Sequence, residues 1–140
     1  MFIPFTSITR RKMQIYTERF SGNTYLLRGY MYDGVDANFE NNTYIDVFMV
    51  SKPLEPWIVS VIDRTFLGMS TFRAADLRVY LSEIYVLDYT KGLHRIKINT
   101  EEDLIYSGFY EAKGFNRFAV YSNNLDDRFE LALANNREVY

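Results

Sequence analysis

The chain has 140 residues, 48% hydrophobic and 24% charged, with 16 Lys and Arg against 18 Asp and Glu for a net charge of −2. That much apolar side chain offsets the entropy of ordering, which excludes a disordered chain, and the length supports one core without staples. Cysteine is absent and His94 is the single histidine, so thiol nucleophiles, disulfides and Cys/His zinc arrangements are excluded.

Met1-Phe2-Ile3-Pro4-Phe5 precedes Arg10-Arg11-Lys12, which reverses the basic-then-apolar order of a secretory signal; export by that route is not expected. Residues 1–12 read as a docking arm. Phe2, Ile3 and Phe5 would anchor it on a partner, and Arg10, Arg11 and Lys12 would meet acidic groups there. Residues 13–20 and 24–32 are rich in Tyr, Ile, Leu and Thr, and Ser21-Gly22-Asn23 between them suits a tight turn, so a β-hairpin is predicted. Residues 33–38 and 40–42 have loop composition, and 44–50 resumes an extended pattern with Ile45, Val47 and Met49 on one face. Pro53 and Pro56 end it, and the apolar run over 57–66 predicts a strand covered on both faces.

Helices are expected in the second half. Ser70-Thr71 can cap one that carries Phe72, Ala75, Leu77, Val79 and Leu81. Strands follow at 83–88 and 93–99. Thr100 then reads as an N-cap with Glu101, Glu102 and Asp103 in the first turn, Leu104, Ile105, Gly108, Phe109 and Ala112 on the apolar face, and Lys113-Gly114 at the exit. A strand at 115–121 precedes a last helix capped by Asn124 with Leu125, Phe129 and Ala132 on one side; the alternation Phe129, Leu131, Leu133 makes a strand the rival there. The expected fold is α+β: an antiparallel, β-rich N-terminal half, hairpin plus further strands, with two or three helices in the C-terminal half. An all-β sandwich or barrel is the alternative. With no repeat and no linker composition, residues 1–140 read as one domain, and no apolar run reaches the length of a membrane-spanning helix.

Few residues point to chemistry. His94 is the first general-base candidate because it titrates near neutral pH. It shares a strand face with Ile96 and Ile98, the setting of a structural histidine. Glu101-Glu102-Asp103 and Asp126-Asp127 could divide acid and base roles or hold a divalent cation, but acids at helix starts need no such role. In 33–38 the glycine is misplaced for a calcium loop. Asn41-Asn42-Thr43 is a glycosylation acceptor pattern, which has no use in a chain that is not exported. The seven glycines are scattered, unlike a phosphate-cradling loop. Basic and aromatic residues interleave from Arg10 to Tyr30, through Tyr16, Arg19, Phe20, Tyr25 and Arg28, as in a single-strand groove, yet the net acidity argues against nucleic acid.

What remains is composition: 11 Phe, 12 Tyr and 1 Trp, with Arg in excess of Lys. Tyr and Arg are enriched where one protein surface desolvates another. The sequence is therefore expected to encode a structural or interaction protein and not an enzyme. It would be a small subunit of a larger assembly such as a virus or bacteriophage particle, in a capsid, neck or tail. It would be located in the virion or host cytoplasm and contact copies of itself or neighbouring subunits. No cofactor, metal, membrane or small-molecule substrate is expected. The alternatives are a soluble inhibitor of a host or defence enzyme and a small enzyme using His94.

Overall fold

The computed structural model describes residues 10–32, 43–51, 57–123 and 128–135. These residues form ten antiparallel strands and one helical turn. β1 (Arg10–Thr17), β2 (Thr24–Met31), β3 (Tyr44–Met49) and β4 (Trp57–Ile62) form a first sheet in chain order; β5 (Ala74–Tyr80), β6 (Glu83–Asp88), β7 (Gly92–Ile98) and β8 (Leu104–Glu111) form a second. β9 (Arg117–Asn123) and β10 (Arg128–Ala134) make a separate hairpin. The four-residue helix α1 (Arg64–Leu67) is capped by Asp63, whose carboxylate accepts the Phe66 N–H at 2.9 Å, and it ends at Gly68 in the left-handed region.

Strict alternation places Tyr25, Leu27 and Met31 of β2 and Ile45, Val47 and Met49 of β3 on the inner face of the first sheet. They meet Leu77, Ile84, Val86, Ile96 and Ile98 of the second sheet in one core. On β6 the intervening Tyr85 and Leu87 face the other way and pack with Leu93 and Phe118 under the β9–β10 hairpin. The second sheet is thus the middle layer, which explains why β6 is buried from Ile84 to Asp88.

Polar side chains fasten the layers. The Asp76 carboxylate is paired with Lys12 of β1 and accepts the N–H of Phe118 of β9 at 3.1 Å. Arg78 Nε donates to the Phe118 carbonyl at 2.8 Å, so Asp76 and Arg78 offer β9 the acceptor and donor that a neighbouring strand would. The Tyr16 hydroxyl crosses to the second sheet, donating toward the carbonyls of Ser82 and Ile98 at 3.0 and 3.1 Å and accepting the Ile98 N–H at 3.3 Å.

The expected α+β fold is wrong, and the all-β alternative fits. Both predicted helices within the described residues are strands whose alternation is interrupted by a β-bulge. In β5, Ala74 and Asp76 pair with the adjacent Asp88 and Leu87, leaving Ala75 extra; in β8, Gly108 and Tyr106 pair with the adjacent Arg95 and Ile96, leaving Ser107 extra. Each extra residue shifts the apolar phase by one, and two strand phases joined that way imitate a period of 3.6. The supposed helix start at Thr100 is a hairpin loop. Asn99 Oδ1 accepts the N–H of Glu101 and Asp103, each at 2.9 Å. The last segment follows its rival reading, pairing as β10 from Arg128 to Ala134; Asn124 and Leu125 lie outside the described residues. Residues 57–66 were expected as a strand covered on both faces. They divide instead into β4 and α1, and Ile58 is half exposed.

Candidate interaction surface

The register of the first sheet puts three rows of side chains that cross three or more strands on its outer face, beside a Thr17–Thr24 pair. Arg11, Tyr30 and Tyr44 form one row; Met13, Arg28, Asp46 and Val61 the next; Ile15, Leu26, Phe48 and Ile58 the third. The third row is wholly apolar although it lies opposite the core. Met13, Ile15 and Ile58 remain 59%, 57% and 50% exposed, values that mark an uncovered apolar surface.

The middle row is held rigid. Arg28 bonds the Asp46 carboxylate at 3.0 Å, and its guanidinium lies 4.9 Å from the Phe48 ring centre and 5.4 Å from that of Tyr30. The bond to Asp46 raises the Arg28 pKa, so its charge is constant. Its Nε is buried without an acceptor. Tyr30 and Tyr44 stack at 4.5 Å, and Arg11 lies 5.3 Å from the Tyr30 ring centre. Tyr, Arg and Met around an apolar strip is the composition of a protein interface.

A concavity of about 560 Å³ lies between the β1–β2 and β5–β6 turns and the end of β7. Phe20 and Leu81 stand at it, both strongly exposed, and Leu81 and Ser82 hold φ of 45° and 62° in the two-residue β5–β6 turn. Its acids are engaged. Glu18 accepts the N–H of Phe20 at 2.9 Å and Ser21 at 2.6 Å, while Glu83 accepts Arg95 Nε and Nη2 at 2.9 and 2.6 Å. Burial pushes the Tyr85 hydroxyl up to about 12, so that group stays protonated at neutral pH. Both carboxylates, Glu18 and Glu83, are thus held by hydrogen bonds within the chain.

His94 does not line this groove. It is buried on the inner face of β7, with Nδ1 2.6 Å from the Tyr106 hydroxyl and its ring 5.0 Å from that of Phe109. Burial lowers its pKa despite the opposing field of Asp88, and Nε2 is buried without a partner.

Of the expected contact residues, Phe2, Ile3 and Phe5 lie outside the described residues. Arg10, Arg11 and Lys12 are the first residues of β1. Arg11 points outward over Tyr30, whereas Lys12 points inward to Asp76. Among the interleaved basic and aromatic residues, Tyr16 and Tyr25 are core, which leaves no continuous stacking track. The glycosylation pattern at 41–42, the acidic loop 33–38 and Asp126-Asp127 also lie outside the described residues. Thr43 bonds Phe72 and Ala74 through its hydroxyl. Among the described residues no cluster of three or more His, Asp or Glu could hold a metal, and no helix is long and apolar enough to cross a membrane. Sequence alternation separates the two faces of β1–β4 without telling which is wet, so the outer apolar row carried no signal beyond the excess of aromatic residues.

Compared with known proteins, the chain matches no family model, no curated protein and no solved structure.

Proposed function

We propose that this chain is a non-catalytic subunit of a larger protein assembly, held to its neighbours through the outer face of the β1–β4 sheet. The observation that carries the reading is the apolar row Ile15, Leu26, Phe48 and Ile58 beside the fixed Arg28–Asp46 pair. Water beside such a row is released when a second surface covers it. The Cys-free, aromatic-rich composition supports a virus or bacteriophage particle as the assembly. It would be located in the virion or the host cytoplasm, in contact with copies of itself or neighbouring subunits. The enclosure of His94 weighs against a small enzyme based on that residue.

The test compares the mass of the native species containing this chain with that of the purified chain, for the wild type and for the variant Met13→Glu/Ile15→Glu. Both positions are exposed, so the variant should fold as before by circular dichroism. The wild type is expected in a multi-subunit species and the variant outside it. Incorporation of the variant at wild-type level would refute the reading. A stable one-to-one complex with an enzyme would instead make the chain an inhibitor.

A further inference from the structure

The bulge in β8 gives its open edge an unusual hydrogen-bonding phase. On one side, Gly114 N–H bonds the Tyr89 carbonyl at 2.8 Å and Ala112 N–H the Lys91 carbonyl at 3.1 Å. The antiparallel alternation continues this into bonded pairs Leu93–Tyr110 and Arg95–Gly108. Phe109 and Glu111 therefore aim their N–H and C=O groups away from β7. On the other side, Asn99 N–H bonds the Asp103 carbonyl at 3.0 Å, which makes Lys97–Ile105 a bonded pair and turns Leu104 and Tyr106 outward. The extra residue Ser107 separates the two phases. No strand among the described residues pairs with this edge.

The outward set is Leu104, Tyr106, Phe109 and Glu111, and it is symmetric about the Ser107–Gly108 peptide bond. We propose that two copies of this chain pair through β8, antiparallel, about a two-fold axis at that bond. Leu104 of one copy then lies opposite Glu111 of the other, and Tyr106 opposite Phe109, each a bonded pair occurring twice. A regular strand matches itself in several registers; here the bulge leaves one register in which every outward group finds a partner. The side chains fit the same register. Ile105, Tyr106, Phe109 and Tyr110 are each 40–45% exposed, and the axis sets Tyr106 against Phe109 on one face and Ile105 against Tyr110 on the other. Aromatic–aromatic and aromatic–β-branched pairs are among the favourable cross-strand contacts. The contact would join the second sheets of two copies into one continuous sheet and cover an edge that otherwise invites irregular association.

This gives the assembly reading a self-contact, at a surface distinct from the β1–β4 face. Light scattering across a concentration series should show the wild-type chain passing from monomer to dimer. Ile105→Lys should remain monomeric, and Met13→Glu/Ile15→Glu should still dimerise. Because the chain has no cysteine, Ile105→Cys/Tyr110→Cys adds a register test that also serves if Ile105→Lys does not fold. Within one strand these positions stand roughly 16 Å apart and cannot bridge, whereas directly opposite positions in a non-bonded pair can. Mild oxidation should convert the double-cysteine chain to a covalent dimer, and Ile105→Cys alone should not form one. A wild-type chain monomeric at every concentration, a dimer that survives Ile105→Lys with the fold intact, or no covalent dimer from the double-cysteine chain would each overturn the β8 contact. None of these outcomes touches incorporation through the first sheet, which the native-species mass reads separately.

Discussion

Replacing Asp76 by alanine tests whether one carboxylate fastens all three layers. Its side chain is 5% exposed, holds Lys12 of β1, accepts the Phe118 N–H at 3.1 Å and the Leu77 N–H at 2.9 Å, and lies 3.7 Å from Arg78 Nε. Alanine leaves the Phe118 N–H buried without an acceptor, a cost of about 1–3 kcal/mol. It also strands the Lys12 ammonium, and breaking a buried ion pair costs about 3–5 kcal/mol. Lys12 and Arg78 keep side-chain exposures of 29% and 46%, so water recovers part of that loss and the low end applies. With the low end of both terms the expected destabilisation is about 4 kcal/mol, a fall of roughly 12 °C in Tm for a chain of this length. Urea unfolding followed by circular dichroism measures it. Asp76→Asn retains an oxygen for Phe118 and should lose roughly half as much, while a cycle with Lys12→Met should show at least about 1 kcal/mol of coupling. A loss below about 1 kcal/mol for Asp76→Ala, or no coupling to Lys12, would show that this carboxylate does not fasten the layers.

Tyr16→Phe removes the hydroxyl that serves Ile98 and Ser82 where β6 and β7 part; the expected cost is about 1–3 kcal/mol. Amide exchange at Ile98 should accelerate well beyond that of neighbouring amides, and unchanged protection there would refute the assignment. For His94 the folded pKa lies below the ordinary 6.5 because of burial, so between the two values the unfolded chain takes up a proton that the folded chain resists. Its contribution is complete above pH 6.5 and is lost as pH falls through the folded value. Asp88, which favours the charged ring, moderates the effect, and the Tyr106 hydroxyl is its neighbour at Nδ1. His94→Gln should flatten the stability profile on the acid side of pH 6.5, above the carboxylate range, and an unaltered slope there would remove the histidine from the account.

The first half of the chain was legible where its strands alternate without interruption, in β1, β2 and β3; the β3–β4 pairing carries a bulge at Val59. In β2 and β3 every inner position is apolar, and Glu18 to Asn23 closes the hairpin with a bond from the Glu18 N–H to the Asn23 carbonyl at 2.9 Å. The second half was misread for local reasons. Leu81-Ser82 adopts the left-handed turn usually marked by Asn-Gly, so nothing in the residue types separated β5 from β6. Thr100 followed by three acids imitates a capped helix, while Asn99 closes the loop through its own side chain. The bulges at Ala75 and Ser107 supplied the false helical period. The candidate surface has no local signature in the sequence: the excess of Tyr and Arg is a property of the whole chain, and which faces remain uncovered depends on how three layers stack.

The two proposed contacts differ in what they can build. A two-fold pairing at β8 is satisfied by two copies and uses the β8 edge of each, so alone it yields dimers and nothing larger. The outer face of β1–β4 carries no such closure, because its rows of Arg11–Tyr30–Tyr44 and Ile15–Leu26–Phe48–Ile58 do not dictate a partner related by a two-fold axis. Combined with such a face, the two-fold contact builds assemblies larger than a dimer. On this reasoning Ile105→Lys should divide the native species into smaller units that still hold the chain through its first sheet, whereas Met13→Glu/Ile15→Glu should release free dimers. Removing both contacts should leave monomers that retain the fold, since the Asp76 and Tyr16 fastenings lie inside each chain.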